Sequence, residues 1–131
     1  MIVLDTNILI WLIDSPEKVS PRARLEINKF KKEGQICVST FSIWEIALLV
    51  KKKRLKFDIG VEEWIDKLKR LSFIKFIDVT AEIAYKSVYL PGRFHKDPAD
   101  RVIVTTAISL GADLITSDKK ILEYKHVQSI W

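Results

Sequence analysis

Apolar residues in this chain fall into two kinds of run, which differ in length and spacing. Short, nearly unbroken runs lie at Ile2–Leu4, Ile36–Val38, Phe73–Ile77 and Leu114–Thr116. They are too short for a stable helix and each is followed by a polar residue, which predicts four buried strands. A last apolar stretch at Val127–Ile130 predicts an edge strand.

Between these runs, apolar positions recur every three or four residues, as on one face of a helix. Val61, Trp64, Ile65 and Leu68 are the clearest example and are predicted to face the core. The predicted helices run from Asn7 to Leu12, from Pro21 to before Gly34, from about Phe41 to Lys52, onward from Val61, from after Thr80 to before Pro91, from Pro98 to before Gly111, and from Lys119 to Glu123.

The order of these elements is a strand followed by two helices, repeated three times before the fourth strand. Helical crossovers of this kind join parallel strands and cover both faces of the sheet. We therefore expect an α/β fold, with a mostly parallel twisted sheet of four to five strands flanked by helices. A chain of 131 residues has the usual size of one domain, so residues 1–131 are predicted to form a single domain.

The charge balance adds a partner class to this picture. Twenty-two Lys and Arg against seventeen Asp and Glu give a formal net charge of +5. Such an excess favours a polyanionic partner such as nucleic acid, although many basic proteins are simply Lys-rich and soluble. The single cysteine, Cys37, lies in an apolar run and is expected to be a buried thiol, which fits a reducing cytoplasm.

No segment of the chain predicts a membrane anchor. The apolar run Ile8–Ile13 is too short to cross a bilayer, and no basic region precedes it as in a signal peptide. We therefore expect a cytoplasmic location.

Acidic residues occur where predicted strands end or predicted helices begin. Asp5 and Asp118 each follow a strand, and Glu45 and Asp100 fall in the first turns of helices. Since the carboxyl ends of parallel strands share one edge of the sheet, we expect these acids to converge on one crevice. Clustered carboxylates repel each other, and a hard oxygen ligand set without a histidine or cysteine group favours Mg²⁺ or Mn²⁺ over zinc. An ion of this kind activates water and clamps phosphate oxygens, as in phosphodiester hydrolysis.

Several of the same residues also admit a purely structural interpretation. Ser42 and Glu45 have the spacing of a capping box, and Asp97 followed by Pro98 has the pattern of a helix N-cap. Asn7 is available to cap the first helix. The basic run Lys51–Arg54 is typical of a solvated helix end, and it is also placed to extend a phosphate-binding track beyond Glu45.

Four motifs in order along the chain together resemble the PIN-domain nucleases, and among these the VapC-type toxins of toxin-antitoxin pairs. They are Asp5-Thr6-Asn7, Ser42-Ile43-Trp44-Glu45-Ile46, His95-Lys96-Asp97-Pro98-Ala99-Asp100-Arg101 and Leu114-Ile115-Thr116-Ser117-Asp118. The resemblance implies a metal-dependent ribonuclease that hydrolyses RNA. It makes Asp5, Glu45, Asp100 and Asp118 the catalytic, metal-binding acids.

The resemblance also implies roles for neighbouring residues. Asp97 matches a further acid of the subgroup, which leaves open whether Asp97 or Asp100 contacts metal directly, and we favour Asp100. Residues expected to orient the carboxylates or approach phosphates are Thr6, Asn7, Thr116, Arg93, Lys96 and Arg101, with Lys119 and Lys120 nearby.

Two protein partners follow from the same resemblance, a small antitoxin and a second copy of the chain. Trp11, Trp44 and Trp64 are candidates for a groove that receives an antitoxin helix, although tryptophan at helical spacing is also typical of a core.

Two other functional classes remain open at this point. A basic nucleic-acid-binding domain without catalysis accounts for the charge but leaves the acids without a purpose. A phosphatase with Asp5 as nucleophile is a second alternative, but Asn7 stands where such enzymes usually carry a second aspartate. DNA cleavage, or RNA processing without a toxin role, is a variant of the nuclease interpretation.

Overall fold

The computed structural model describes residues 1–131 and contains five strands and seven helices. The strands are β1 (Ile2–Leu4), β2 (Ile36–Ser39), β3 (Ile74–Ile77), β4 (Asp113–Ile115) and β5 (Ser129–Ile130). The helices are α1 (Thr6–Asp14), α2 (Pro21–Lys32), α3 (Thr40–Lys51), α4 (Val61–Lys69), α5 (Ala81–Val88), α6 (Pro98–Leu110) and α7 (Lys119–Leu122). None of these helices combines the length and apolar character that crossing a membrane would require.

The five strands form one parallel sheet in the order β3-β2-β1-β4-β5, which confirms the predicted fold class. β1 lies at the centre, with Val3 opposite Cys37 of β2 on one side and Leu4 opposite Ile115 of β4 on the other. The chain leaves β1 for one half of the sheet and later returns to the other half. In parallel α/β sheets, the carboxyl ends of strands at such a reversal border a ligand-binding crevice, here between β1 and β4.

Both faces of the sheet are buried, because successive side chains of a strand point to opposite sides. Ile2 and Leu4 of β1 belong to the larger core layer, together with Trp64 and Leu68 of α4, which face inward as predicted. Val3 belongs to the opposite layer, which α6 covers. Cys37 also lies in that second layer and is buried, as predicted.

Two helices begin earlier than the local pattern predicts. α1 is capped by Asp5 and not by Asn7, and α3 is capped by Ser39, whose hydroxyl accepts from the Phe41 N–H at 3.1 Å. In both places the strand passes into the helix without a loop. Asp5, the first residue after β1, therefore caps α1, and Ser39, the last residue of β2, caps α3. Ser20, Thr80 and Asp97 cap α2, α5 and α6 with their side chains, which confirms the N-cap pattern at Asp97.

The C-terminal end of α3 is unusual because a lysine adopts a left-handed conformation there. Lys53 has φ 59°, and the following N–H of Arg54 bonds back to the carbonyl of Leu49 at 2.9 Å. Lys53 N–H bonds to Val50, which completes a Schellman motif in the position that usually carries glycine. The chain therefore turns back sharply toward the helix it has just left.

Candidate active site

Asp5 lies at the end of β1 with both carboxylate oxygens held in place. Oδ1 accepts a hydrogen bond from the Thr6 backbone N–H at 2.8 Å, and Oδ2 accepts from the Thr116 hydroxyl at 2.7 Å. The Asp5 N–H donates to the carbonyl of Ile115 at 3.0 Å, which continues the β1–β4 ladder by one residue. The Asp5 side chain is therefore buried and held in one orientation between the ends of β1 and β4.

The environment of Asp5 disfavours its charge. Burial raises the pKa of the Asp5 carboxyl, and repulsion from Asp118 and Asp97 raises it further, while the two hydrogen bonds oppose the shift. The acids of the two neighbouring loops thus already act on Asp5 electrostatically.

Glu45 is the sixth residue of α3 and so lies in the second turn of the helix, not in the first turn as predicted. Because Ser39 caps the helix, the capping-box interpretation of Ser42 and Glu45 is wrong, and the Glu45 carboxylate is free to face the crevice. Burial raises the pKa of Glu45, the nearby Thr6 hydroxyl opposes this shift, and repulsion from Asp5 and Asp97 adds to it. Ser42 instead links two helices, because its buried hydroxyl accepts from the Thr6 hydroxyl at 2.9 Å and ties α3 to α1.

Asp100, in the first turn of α6, is the most perturbed acid of the chain. Burial, followed by repulsion from the other four acids of the cluster, raises the pKa of its carboxyl to about 8. His95 contacts this carboxylate, with Nε2 at 3.0 Å from Oδ2. That nitrogen is buried and forms no well-aligned hydrogen bond, and the Asp100 oxygen lies within ion-pair distance of it.

Asp97 and Asp118 both cap helices with one carboxylate oxygen. Oδ1 of Asp97, which is exposed, accepts from the Asp100 N–H at 3.0 Å, and Oδ1 of Asp118 accepts from the Lys120 N–H at 2.8 Å. The Asp118 N–H donates to the Thr116 hydroxyl, which also holds Asp5. Each of the two acids keeps its second oxygen free of hydrogen bonds.

These side chains fit a divalent cation. Donor atoms of His95, Asp100 and Asp118 lie within 4.8 Å of one another, and Asp5, Glu45 and Asp97 repel the same cluster. Hard oxygen donors predominate, as Mg²⁺ and Mn²⁺ prefer, and His95 adds a ring nitrogen beside Asp100 that the predicted set did not include. Without a cation, burial and repulsion from the other acids raise the pKa of Asp100, so its carboxyl keeps a proton at neutral pH.

Arg101 does not point toward a phosphate site. Its guanidinium donates to the carbonyls of Ser87, Val88, Phe94 and His95 at 2.7–3.1 Å. Four of its five N–H groups are therefore occupied, so the structure does not support the predicted phosphate contact. Arg101 instead holds the loop that carries His95 beside Asp100.

The other predicted contact residues differ in how they relate to the crevice. Arg93 and Lys120 line a cavity of about 420 Å³ that also reaches His95. Lys96 is exposed and forms no ion pair. Asn7 is exposed on α1 and forms no hydrogen bond with Asp5, so the structure does not support an orienting role for it.

Two residues of the site had no functional role in the sequence-based prediction. His95 was part of a quoted motif, and its signal was its position within the acidic loop in a chain with only two histidines. Ser42 belongs to another of the four motifs, but its contact with Thr6, 36 residues earlier in the chain, cannot be predicted from the local sequence.

The fold and the site together define a class: a parallel α/β domain with a cluster of acidic side chains in a crevice at the carboxyl edge of its sheet. The PIN domain family model matches residues 2–127, and the chain belongs to this family.

Individual relatives agree with this assignment over nearly their whole length. The chain is 29% identical over 129 residues to ribonuclease VapC22 of Mycobacterium tuberculosis, covering 98% of this chain and 95% of the relative. Its fold matches that of VapBC2 from Rickettsia felis bound to a promoter DNA fragment, with a TM-score of 0.70, 20% identity and coverage of 99% and 98%. FitAcB from Neisseria gonorrhoeae gives a TM-score of 0.71 at 16% identity, with coverage of 100% and 97%.

Proposed function

We propose that this chain is a metal-dependent ribonuclease that hydrolyses RNA phosphodiester bonds and serves as the toxin of a type II toxin-antitoxin pair. The observation that carries the proposal is the convergence of Asp5, Glu45, Asp100 and Asp118 from four separate segments on one crevice. Membership of the PIN domain family and the likeness to a ribonuclease named VapC22 support the same activity.

The proposed cofactor is Mg²⁺ or Mn²⁺, held by these four acids, with Asp97 at the rim. When bound, the ion supplies a water of lowered pKa and positive charge against the phosphate oxygens. Asp5 brings a carboxylate that Thr6 and Thr116 have already oriented. Asp100 must release the proton that its raised pKa retains before it can act as a ligand, and His95 Nε2 lies where it can hold that carboxylate in place.

Phosphates that flank the cleavage site are assigned to cations around the crevice. Arg93 and Lys120 share a cavity with His95, so a phosphate there would lie directly beside the acidic cluster. Lys96 and Lys119 are exposed next to Asp97 and Asp118 and provide further positive charge. Arg101 contributes only by holding the loop.

A phosphatase with Asp5 as nucleophile is the weaker alternative. The Asp5 side chain is buried, which hinders in-line approach to a phosphorus atom, and Asn7 stands where such enzymes usually carry a second aspartate.

The direct test is RNA cleavage by the Asp5→Asn variant, which keeps the size of the side chain and removes its charge. We expect cleavage of structured and unstructured RNA to fall by at least about a hundredfold at saturating Mg²⁺ or Mn²⁺, because a charged ligand is lost. Asp113→Asn, the same substitution at the opposite end of β4, should cleave normally. Equal cleavage by the native protein and Asp5→Asn, with both folded by circular dichroism, would contradict the proposal. DNA substrates and a metal-free reaction complete the comparison.

We further propose that an antitoxin helix binds the larger apolar groove of the molecule. This groove has a volume of about 700 Å³ and is lined by Leu12, Ile13, Phe57, Trp64 and Phe73, among others. Trp64 is only 4% exposed and stacks on Phe57 at 4.4 Å, so it forms part of the groove wall while also packing in the core. Of the three tryptophans predicted for this role, Trp11 and Trp44 do not line the groove.

A homodimer is the second proposed assembly. Tyr85, Val88 and Tyr89 expose large apolar side chains together at the C-terminal end of α5. Contiguous exposed apolar surface of this kind commonly marks a protein contact.

A further inference from the structure

Trp44 presents a large aromatic surface to solvent beside the acidic crevice. It follows Ile43 on α3 and immediately precedes Glu45, and 54% of its surface is exposed. The indole stacks on the ring of Phe41, one turn earlier, with centroids 5.0 Å apart and planes 3° from parallel. Phe41 thus covers one face of the indole. Because Trp44 is not part of the buried core, packing does not explain why an aromatic residue stands at this position.

The indole borders a cavity that is continuous with the proposed active site. This cavity has a volume of about 340 Å³, within the range of roughly 300–1,000 Å³ that is usual for small-ligand sites. Glu45 and Asp97 form part of its wall, so whatever occupies it lies next to the metal-binding acids. Lys52 and Arg54 line the same cavity.

Neither Lys52 nor Arg54 forms an ion pair with an acidic side chain. Their position follows from the left-handed turn at Lys53, which folds the chain back so that Arg54 lines the cavity with Trp44. Two unpaired cations beside an exposed aromatic face are the combination by which proteins bind single-stranded nucleic acids, through base stacking and phosphate pairing.

We propose that this cavity is a binding subsite for one unpaired nucleotide of single-stranded RNA. The base stacks on Trp44, and its phosphate contacts Lys52 and Arg54. The proposal rests on the ribonuclease function proposed above and adds a substrate requirement: a nucleotide beside the cleaved bond must be free of base pairing. A base within a duplex cannot leave its stack to reach Trp44 without unpairing.

The test measures binding of a fluorescent single-stranded RNA oligonucleotide in the uncleaving Asp5→Asn background with Mg²⁺. Trp44→Leu keeps an apolar side chain but removes the stacking face, and Trp44→Phe keeps a smaller one. We expect Trp44→Leu to weaken binding by roughly 5- to 140-fold, the equivalent of about 1–3 kcal/mol per stacked base. Trp44→Phe should stay within about threefold of the parent, since the aromatic face remains.

Leu25→Ala is the control for loss of an exposed large apolar side chain. Leu25 is 72% exposed on α2 and lines neither this cavity nor the proposed dimer contact. Its substitution should leave RNA affinity unchanged.

An abasic nucleotide moved along the oligonucleotide identifies the stacked base. In the parent protein, an abasic nucleotide at one position should weaken binding about as much as Trp44→Leu does. In the Trp44→Leu variant, the abasic nucleotide at that position should not weaken binding further. Parental affinity in Trp44→Leu, or an abasic loss that persists in that variant, overturns the subsite. Unchanged RNA binding together with lost binding of a partner protein also overturns it and assigns the surface to that protein.

Failure of the subsite and failure of the enzyme are distinguishable. If the native protein cleaves RNA in an Asp5-dependent way while Trp44→Leu binds and cleaves normally, only the subsite is wrong. If the native protein neither binds nor cleaves single-stranded RNA, the ribonuclease proposal fails and the subsite fails with it.

Discussion

At the scale of single residues, structural and chemical roles coincide in the same aspartates. Asp5, Asp97 and Asp118 each cap a helix with one oxygen. A cap uses one carboxylate oxygen, and in Asp97 and Asp118 the other remains free. The capping role and a metal-binding role are therefore compatible, and a local capping pattern does not argue against a functional acid. The helix N-termini also bring positive dipole ends to the crevice, which favour the negative charge collected there.

Asp100 leads to a prediction about pH. Its folded-state pKa of about 8 lies above its ordinary value of 3.8, so between these values the folded protein retains a proton that the unfolded chain releases. The contribution of Asp100 to stability is therefore complete below pH 4 and is lost as pH rises through 8. Burial shifts the pKa of Asp5 and Glu45 in the same direction.

We expect Mg²⁺ to raise the melting temperature more at pH 8 than at pH 6, because the ion competes with a proton at pH 6. Thermal melts in EDTA and in Mg²⁺ across this range measure the effect. In Asp100→Asn, the metal-free protein should lose part of its pH slope and the Mg²⁺ stabilisation should shrink. An identical pH slope in that variant would show that Asp100 is not the titrating group.

At the scale of secondary structure, α3 connects the site to its surroundings. β2 passes into α3 without a loop, which sets Glu45 in the second turn and Trp44 beside it. At the other end of the helix, Lys53 occupies a left-handed conformation that costs an L-residue roughly 1–2 kcal/mol. This strained turn places Arg54 at the cavity that Trp44 also lines, so the backbone strain lies beside the proposed subsite.

Lys53→Gly should relieve this strain. We expect the free energy of unfolding to rise by about 1 kcal/mol, with part of the relief offset by the greater freedom of glycine in the unfolded chain. Urea unfolding provides the measurement. Lys53→Ala removes the same charge but keeps the Cβ, so it should give no gain. A glycine variant less stable than the native protein would contradict the strained assignment.

At the scale of the whole molecule, the central position of β1 explains how a short chain assembles its site. The strand order places β4 next to β1, so segments 111 residues apart meet through the Thr116–Asp5 hydrogen bond. Apolar surface is left over on the outside, at the groove beside Trp64 and along α5.

The dimer proposal makes a prediction at this scale. Sedimentation equilibrium at micromolar concentration should give twice the 15.2 kDa mass of the chain. Tyr89→Lys, at the exposed residue that directly follows α5, should shift the mass to that of a monomer by placing a charge in the contact. Leu25→Lys, at a residue that is 72% exposed on α2, is the matched control and should remain dimeric. A native protein that sediments as a monomer would exclude the dimer.

The amino-acid sequence by itself determined the kinds of element, their order and the parallel sheet. These follow from periodicity, caps and crossover length, which are properties of neighbouring residues, and they already place acids at strand ends and helix starts. Asp5, Glu45, Asp100 and Asp118 could be selected on that basis, together with the family resemblance.

Only the tertiary structure decided what each side chain of the site contacts. Thr116 on Asp5, His95 on Asp100 and the four carbonyls on Arg101 depend on how distant segments pack, and no local pattern encodes that packing. The same holds for exposure: Trp44 and Trp64 have similar helical patterns, but one faces solvent and the other the core. The physical reason is that burial and pairing are set by the three-dimensional neighbours of a residue, whereas helix and strand formation are set largely by its neighbours along the chain.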